Sequence, residues 1–121
     1  MMLERVENRV KPGTPDMYVS HPKIRGWIEL KYLVGFPARP TTPVKLSEWT
    51  SEQRAFASRA ARFGTRCWLV VGVEQEVFVF DGARFEDSVT TEEFRRLAQV
   101  LPRRGCEFEQ VLDALERSVV Q

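Results

Sequence analysis

The sequence predicts a mixed α/β fold, a β-sheet flanked by helices and ending in a C-terminal helical pair. Three observations lead there. Two short runs with strand character, residues 16–20 and 27–33, flank a turn-rich connection. A helix with start and stop signals follows at about residues 50–63. Next comes Cys67-Trp68-Leu69-Val70-Val71-Gly72-Val73, nearly continuously apolar, as expected of a strand buried on both faces. A strand reached through a helix suits a right-handed crossover to a parallel neighbour. The predicted order is β-β-α-β-β-α-α, possible N-terminal element aside, in a single domain over residues 1–121, with its core at about 4–82 and its last helices at about 91–120.

Composition narrows the function classes. A chain of 121 residues is long enough for one hydrophobic core. Its formal net charge of +1 gives no global basic signature, so any nucleic-acid site must be a local patch. Cys67 and Cys106 are far apart and form no CxxC pair, which argues against a zinc site or a disulfide framework. No apolar run approaches the ~20 residues of a membrane span. The start, MMLERVENRV, lacks the apolar centre of a secretory signal, so a reducing cytoplasm is expected.

Residues 3–10 read as either a short helix or a strand: Val6 and Val10 suit a helix, and the alternation does not decide. Residues 11–15, Lys-Pro-Gly-Thr-Pro, are a turn. The strand 16–20 has β-formers at its centre, and 21–26 connects it to the strand 27–33. His21, the single histidine, reads as a surface loop residue rather than a general base. Residues 35–46 contain Pro37, Pro40 and Pro43 and read as an ordered but flexible loop bordering a cleft. Ser47 or Thr50 caps the following helix, and Gly64 stops it. Trp49, Gln53, Phe56, Ala57, Ala60 and Phe63 have helical spacing and are expected to pack inward or at the cleft edge. Residues 76–80 form another strand after a tight turn at Glu74-Gln75. Thr90-Thr91-Glu92-Glu93 is a capping signal opening a helix over 92–101, ended by Pro102. The last helix, within 105–120, carries Phe108, Val111, Leu112, Leu115 and Val119 on one face.

Chemistry concentrates in residues 12–31. In a strand, residues i and i+2 share a face, so Trp27, Glu29 and Lys31 project together while Ile28 and Leu30 point the other way, toward a core. If the two strands pair as a hairpin, Asp16 approaches Glu29. Two carboxylates beside one lysine must be kept apart or neutralised, and a divalent cation does this. Mg²⁺ favours one or two carboxylates with water and substrate phosphate.

Pro15-Asp16 followed by Glu29-Leu30-Lys31 resembles the PD-(D/E)xK nuclease signature. Val6-Glu7-Asn8, Gly13-Thr14-Pro15-Asp16, Gly26-Trp27-Ile28 and the helix-borne Glu52-Gln53-Arg54 extend the likeness over about residues 4–82. The chain is similar to small stand-alone phage and bacterial nucleases of the VRR-NUC and Holliday-junction-resolvase-like type. That resemblance implies a restriction-endonuclease-like fold. It also implies Mg²⁺ or Mn²⁺ held by Asp16, Glu29 and the main-chain carbonyl of Leu30, with Glu7 (or Glu4) as a further acid. Catalytic roles would fall to Asp16, Glu29, Lys31, Gln53 and Glu7, and Gln53 would orient the attacking water. It implies a homodimer acting on branched DNA.

Candidate phosphate contacts are Lys11, Lys23, Arg25, Arg39, Lys45, Arg54 and Arg62. Arg54 and Arg62, with Arg59 half a turn away, form the most concentrated basic face in the chain, and a solvated helix face explains them equally well. Two alternatives stay open: a flap, end-processing or restriction-type nuclease with the same site, and a non-catalytic DNA-binding protein that keeps the fold.

Overall fold

A computed structural model describes residues 2–5, 16–46, 49–85 and 88–120, with the main chain alone at 2–5 and 119–120. Its centre is a mixed sheet of six strands in the order β1-β2-β3-β5-β6-β8. The strands are β1 (Met2–Arg5), β2 (Met17–Ser20), β3 (Arg25–Leu33), β5 (Arg66–Val73), β6 (Glu76–Asp81) and β8 (Gln99–Pro102). A two-stranded sheet pairs β4 (Val44–Lys45) with β7 (Ser88–Val89), and the helices are α1 (Ser51–Arg62), α2 (Thr91–Leu97) and α3 (Phe108–Val120). Of the two sequence readings for residues 3–10, β1 realises the strand, and residues 6–15 lie outside the described residues. β1–β2 and β2–β3 are antiparallel, β3–β5 is parallel through α1, and β5–β6 is an antiparallel hairpin. Its turn bends at Glu74, φ 53°.

Alternation along β5 divides the core. Cys67, Leu69, Val71 and Val73 meet Trp49, Ala57 of α1 and Phe94 of α2 on one face. Trp68 turns to the other, joining Val79, Leu112 and Leu115 of α3, and its indole Nε1 donates to the Leu115 carbonyl at 2.8 Å. The predicted strand buried on both sides is therefore the middle of the sheet. Gly26 lets β3 run tight against β5, since a Cβ there would lie 2.5 Å from the Arg66 carbonyl oxygen. Phe36, Phe78, Phe80, Phe85 and Phe94 pack edge-to-face or tilted beneath α2, with centroids 4.6–5.8 Å apart.

Helix starts follow the predicted signals. Thr50 caps α1 in a capping box with Gln53, and Thr90 caps α2 in another with Glu93; Ser47, the other candidate cap, lies outside the described residues. At the end of α1, Gly64 adopts φ 77°, its N–H donating to the Ala61 carbonyl and that of Thr65 to the Ala60 carbonyl. This is the Schellman arrangement, and glycine enters it without Cβ strain.

Five expectations change. The helix expected over 92–101 stops at Leu97; Ala98 is extended (φ −89°, ψ 152°), and Gln99–Pro102 becomes β8 along the open edge of β6. Covering that edge satisfies main-chain groups that a longer helix would leave unpaired. The C-terminal pair of helices forms, but α2 and α3 pack into opposite faces of the sheet with β8 between them in sequence. The proline-rich loop is anchored: Val44 and Leu46 are buried, Phe36 packs in the aromatic cluster, and β4 pairs with β7. Phe63, expected inward or at the cleft edge, is 81% exposed, because the helix ends there and turns away. Leu30, expected in a core, is 42% exposed, because α3 covers β6 and β8 rather than the end of β3.

Candidate active site

The β2–β3 register builds the site. Met17 pairs with Ile28 and Tyr18 with Trp27, so the chain immediately before β2 brings Asp16 alongside Glu29. Two hydrogen bonds close this pairing: the Asp16 main-chain N–H donates to Glu29 Oε2 at 3.1 Å, and the Leu30 N–H donates to Asp16 Oδ2 at 3.3 Å. The predicted convergence of the acids therefore occurs, each carboxylate accepting from the other strand's main chain.

Glu29 is buried, 2% exposed. Its Oε1 accepts from Gln53 Nε2 at 2.8 Å and pairs with Lys31 Nζ at 3.1 Å. Lys31 is itself 9% exposed and lies on the same face two residues on. Burying an ionised carboxylate is costly unless it is paired and hydrogen-bonded. Here burial pushes the Glu29 pKa above the usual carboxylate range; the Lys31 ammonium opposes that rise, and the Asp16 carboxylate adds to it. Glu29 is thus held in a dry position that a cation would favour.

Gln53 has two structural duties. Its Oε1 accepts from the Thr50 N–H at 3.0 Å in the capping box, which leaves its NH₂ group for Glu29. The side chain expected to orient water is instead anchored at both ends, and it ties the start of α1 to the middle of β3. Helix position N3 made the capping role legible in the sequence; the bond to Glu29 required the packing of α1 on the sheet.

An aromatic row continues from the acids on the same face. Tyr18 and Trp27 sit edge-to-face at 5.0 Å, and Trp27 meets Phe56, one turn beyond Gln53, at 5.7 Å. Period two had placed Trp27 beside Glu29, but Tyr18 and Phe56 were not singled out as site residues. Cys67 lies behind the site, its thiol pushed up to about 12 by burial first, then by the Glu29 and Asp81 charges, so it stays protonated and serves the core.

Glu7 and Lys11 are outside the described residues, and nothing is described of the Glu4 side chain. Lys23 and Arg25 are exposed at the hairpin tip, the end remote from Asp16 and Glu29. Arg25 shares the face of Trp27 and Glu29 by alternation. Arg39 and Lys45 are exposed on the proline-rich segment, Arg54 is half-buried near the start of α1, and Arg62 is exposed in its last turn. His21 is where the sequence put it, in the β2–β3 connection; its Nδ1 accepts from the Lys23 N–H at 3.1 Å and its ring meets Phe108.

The donor set suits a hard cation. Among the described residues no group of three His, Cys, Asp or Glu side chains forms a metal cage. Two converging carboxylates suit Mg²⁺, which retains several waters. No helix among the described residues is long and apolar enough to cross a membrane.

No family model and no curated protein sequence matches the chain. Among solved structures, the chain is similar to Hjc of Archaeoglobus fulgidus, a Holliday junction resolvase from an archaeal hyperthermophile, at 18% identity and a TM-score of 0.55 over 79% of this chain and 78% of that one. The likeness shows that the α/β architecture predicted from the sequence, a mixed sheet flanked by helices, is one this chain shares with that protein.

Proposed function

We propose that this protein is a divalent-metal-dependent DNA endonuclease selective for branched DNA, acting as a homodimer. The observation that carries the reading is the pairing of Asp16 with Glu29 across β2 and β3, with Lys31 on the Glu29 carboxylate. It is supported by the fold shared with a protein that is itself a Holliday junction resolvase. A purely structural ion pair would gain little here, since burying charge costs as much as the pairing returns.

In this reading Asp16, Glu29 and the Leu30 carbonyl hold Mg²⁺ or Mn²⁺, with Glu7 as a further candidate. When bound, the ion polarises the phosphate and lowers the pKa of coordinated water. Gln53 fixes the Glu29 carboxylate by its 2.8 Å hydrogen bond and keeps it from rotating. Lys31 places positive charge beside the phosphate, where negative charge develops as water attacks phosphorus. The P–O3′ bond breaks, the 3′ oxygen takes up a proton, and 5′-phosphate and 3′-hydroxyl ends result. The dimer follows from the substrate, because a four-way junction offers two equivalent scissile positions.

The test is cleavage of a labelled four-way junction in Mg²⁺ or Mn²⁺, with linear duplex, flap and single strand beside it. Paired symmetrical cuts in the junction, lost in Asp16→Asn, Lys31→Ala and EDTA, are expected. Cleavage of another substrate, lost in the same way, would keep the site and replace the substrate. Binding of DNA with no cleavage in either metal would overturn the catalytic reading.

A further inference from the structure

At the end of the aromatic row away from the acids lies an open cavity of about 320 Å³ lined by Trp27, Phe56, Arg59, Ala60, Phe63 and Thr65. Two of these residues present their side chains to solvent. Phe63 is 81% exposed at the helix cap, and Arg59 is exposed and takes part in no ion pair among the described residues. The walls are nonetheless firm. The Schellman bonds from Gly64 to Ala61 and from Thr65 to Ala60 fix the end of α1, and Trp27 is braced between Tyr18 and Phe56. A rigid aromatic wall, a free aromatic edge and a guanidinium together match a flat π-face attached to an anion.

Position selects the occupant. Trp27 is on the same face as Glu29, two residues earlier, and Phe56 is one helical turn beyond Gln53, which touches Glu29. The centre of the cavity lies about seven residues along α1 from Gln53, roughly 10 Å at ~1.5 Å per residue. That is about three steps of a stacked duplex strand at ~3.4 Å per nucleotide, and fewer of an unstacked one. A base paired inside a duplex hides its faces in the stack, so only an unpaired or extruded base can enter.

We propose that this cavity is a stacking site for one unpaired nucleobase, with Arg59 on its phosphate, a few nucleotides from the phosphate held at Asp16 and Glu29. The inference rests on the nuclease reading for its register with the acids. The site would make the protein prefer strands that leave the duplex near the point of cleavage.

Binding tests it without requiring turnover. DNA carrying a single unpaired 2-aminopurine at two, three or four nucleotides from the strand exchange point is titrated with full-length protein in EDTA. A fully paired duplex of the same length runs beside it. The wild type is expected to change 2-aminopurine emission and to bind the unpaired DNA more tightly. Phe63→Ala should lose roughly 5- to 150-fold in affinity for that DNA, the worth of stacking one base on an aromatic side chain, and little for the duplex. Phe63→Tyr should restore the preference, whereas Phe63→Leu, apolar but without a π-face, should not. Arg59→Ala should weaken both DNAs. Equal affinity of wild type and Phe63→Ala for both DNAs overturns the proposal. So does restoration by Phe63→Leu, or a changed sedimentation of Phe63→Ala without DNA, which would make the pocket a contact between copies of the chain. If the wild type cleaves no DNA yet shows the Phe63-dependent emission change, the nuclease reading fails and the stacking site stands.

Discussion

Gln53→Glu tests the reasoning about the site most directly. The change keeps the length and the carboxamide-like oxygen that closes the capping box with Thr50. It replaces the NH₂ group 2.8 Å from Glu29 Oε1 by a second carboxylate. The lost hydrogen bond to a charged group is worth about 1.5–3 kcal/mol. Two like charges about 4 Å apart, at the effective dielectric suited to proteins, repel by at most about 4 kcal/mol, and the new carboxyl can escape by taking up a proton. Protonation costs about 1.36 kcal/mol for each pH unit above its unfolded pKa near 4.3. The expected loss is therefore about 3–5 kcal/mol at pH 7.5, shrinking to about 1–2 kcal/mol at pH 5. The sign follows from linkage. A carboxyl whose folded pKa is raised contributes stability below its unfolded pKa and loses it as pH rises through the folded pKa. Gln53→Ala is the control: it loses the same hydrogen bond and one arm of the capping box without adding a carboxyl, so its deficit should change with pH less than that of Gln53→Glu. Urea denaturation at pH 5 and 7.5, with and without Mg²⁺, measures all four quantities. Mg²⁺ should narrow the gap for Gln53→Glu, because a cation between the acids removes the repulsion. A deficit for Gln53→Glu that is equal at both pH values and indifferent to Mg²⁺ would refute the contact and the metal reading together.

Further expectations follow from particular contacts. Without divalent ions, wild-type stability should fall relative to Glu29→Gln as pH rises from 4.5 to 7.5, because burial raises the Glu29 pKa; a relative rise in denaturation midpoints would contradict this. Phe94→Ala, at the centre of the aromatic cluster and 0% exposed, should cost about 3–5 kcal/mol by the same urea assay, through lost transfer energy and the cavity left behind. Gly26→Ala should destabilise by more than about 2 kcal/mol, because its Cβ would meet the Arg66 main chain of β5 and the buried Trp68 ring; a folded, equally stable variant would show that the strands can part. In native protein at pH 8, iodoacetamide should label Cys106 and spare Cys67, whose thiol is held near 12, and unfolding in urea should release both.

Much of the fold was legible because local rules act over short distances. Period two in 27–33 told which residues share a face, and Glu29, Lys31 and Trp27 do. The capping boxes at Thr50 and Thr90, Gly64 and the apolar run at 67–73 marked α1, α2 and β5. The pairing of Asp16 with Glu29 followed once the two strands were taken as a hairpin.

Tertiary structure decided what local pattern leaves degenerate. Gln99–Pro102 continues a helix-compatible run, yet the unsatisfied edge of β6 takes it as a strand, since a main-chain ladder there outweighs three more helical residues. Leu30 alternates correctly to the face opposite Glu29, but alternation cannot say whether a helix covers that end of the sheet, and none does. Phe63 falls at helical spacing with Ala60 and Phe56, but the helix ends at that residue and leaves the ring in solvent beside Trp27. Gln53 read as a site residue from the sequence, and the structure adds its place in the capping box with Thr50. It is the 24-residue separation between it and Glu29, closed only by packing α1 on the sheet, that makes it both. By itself the sequence determined which side chains share each face and where α1 and α2 begin. Only the packed chain determined which faces are covered and which distant groups meet, because those depend on burial shared between elements far apart in sequence.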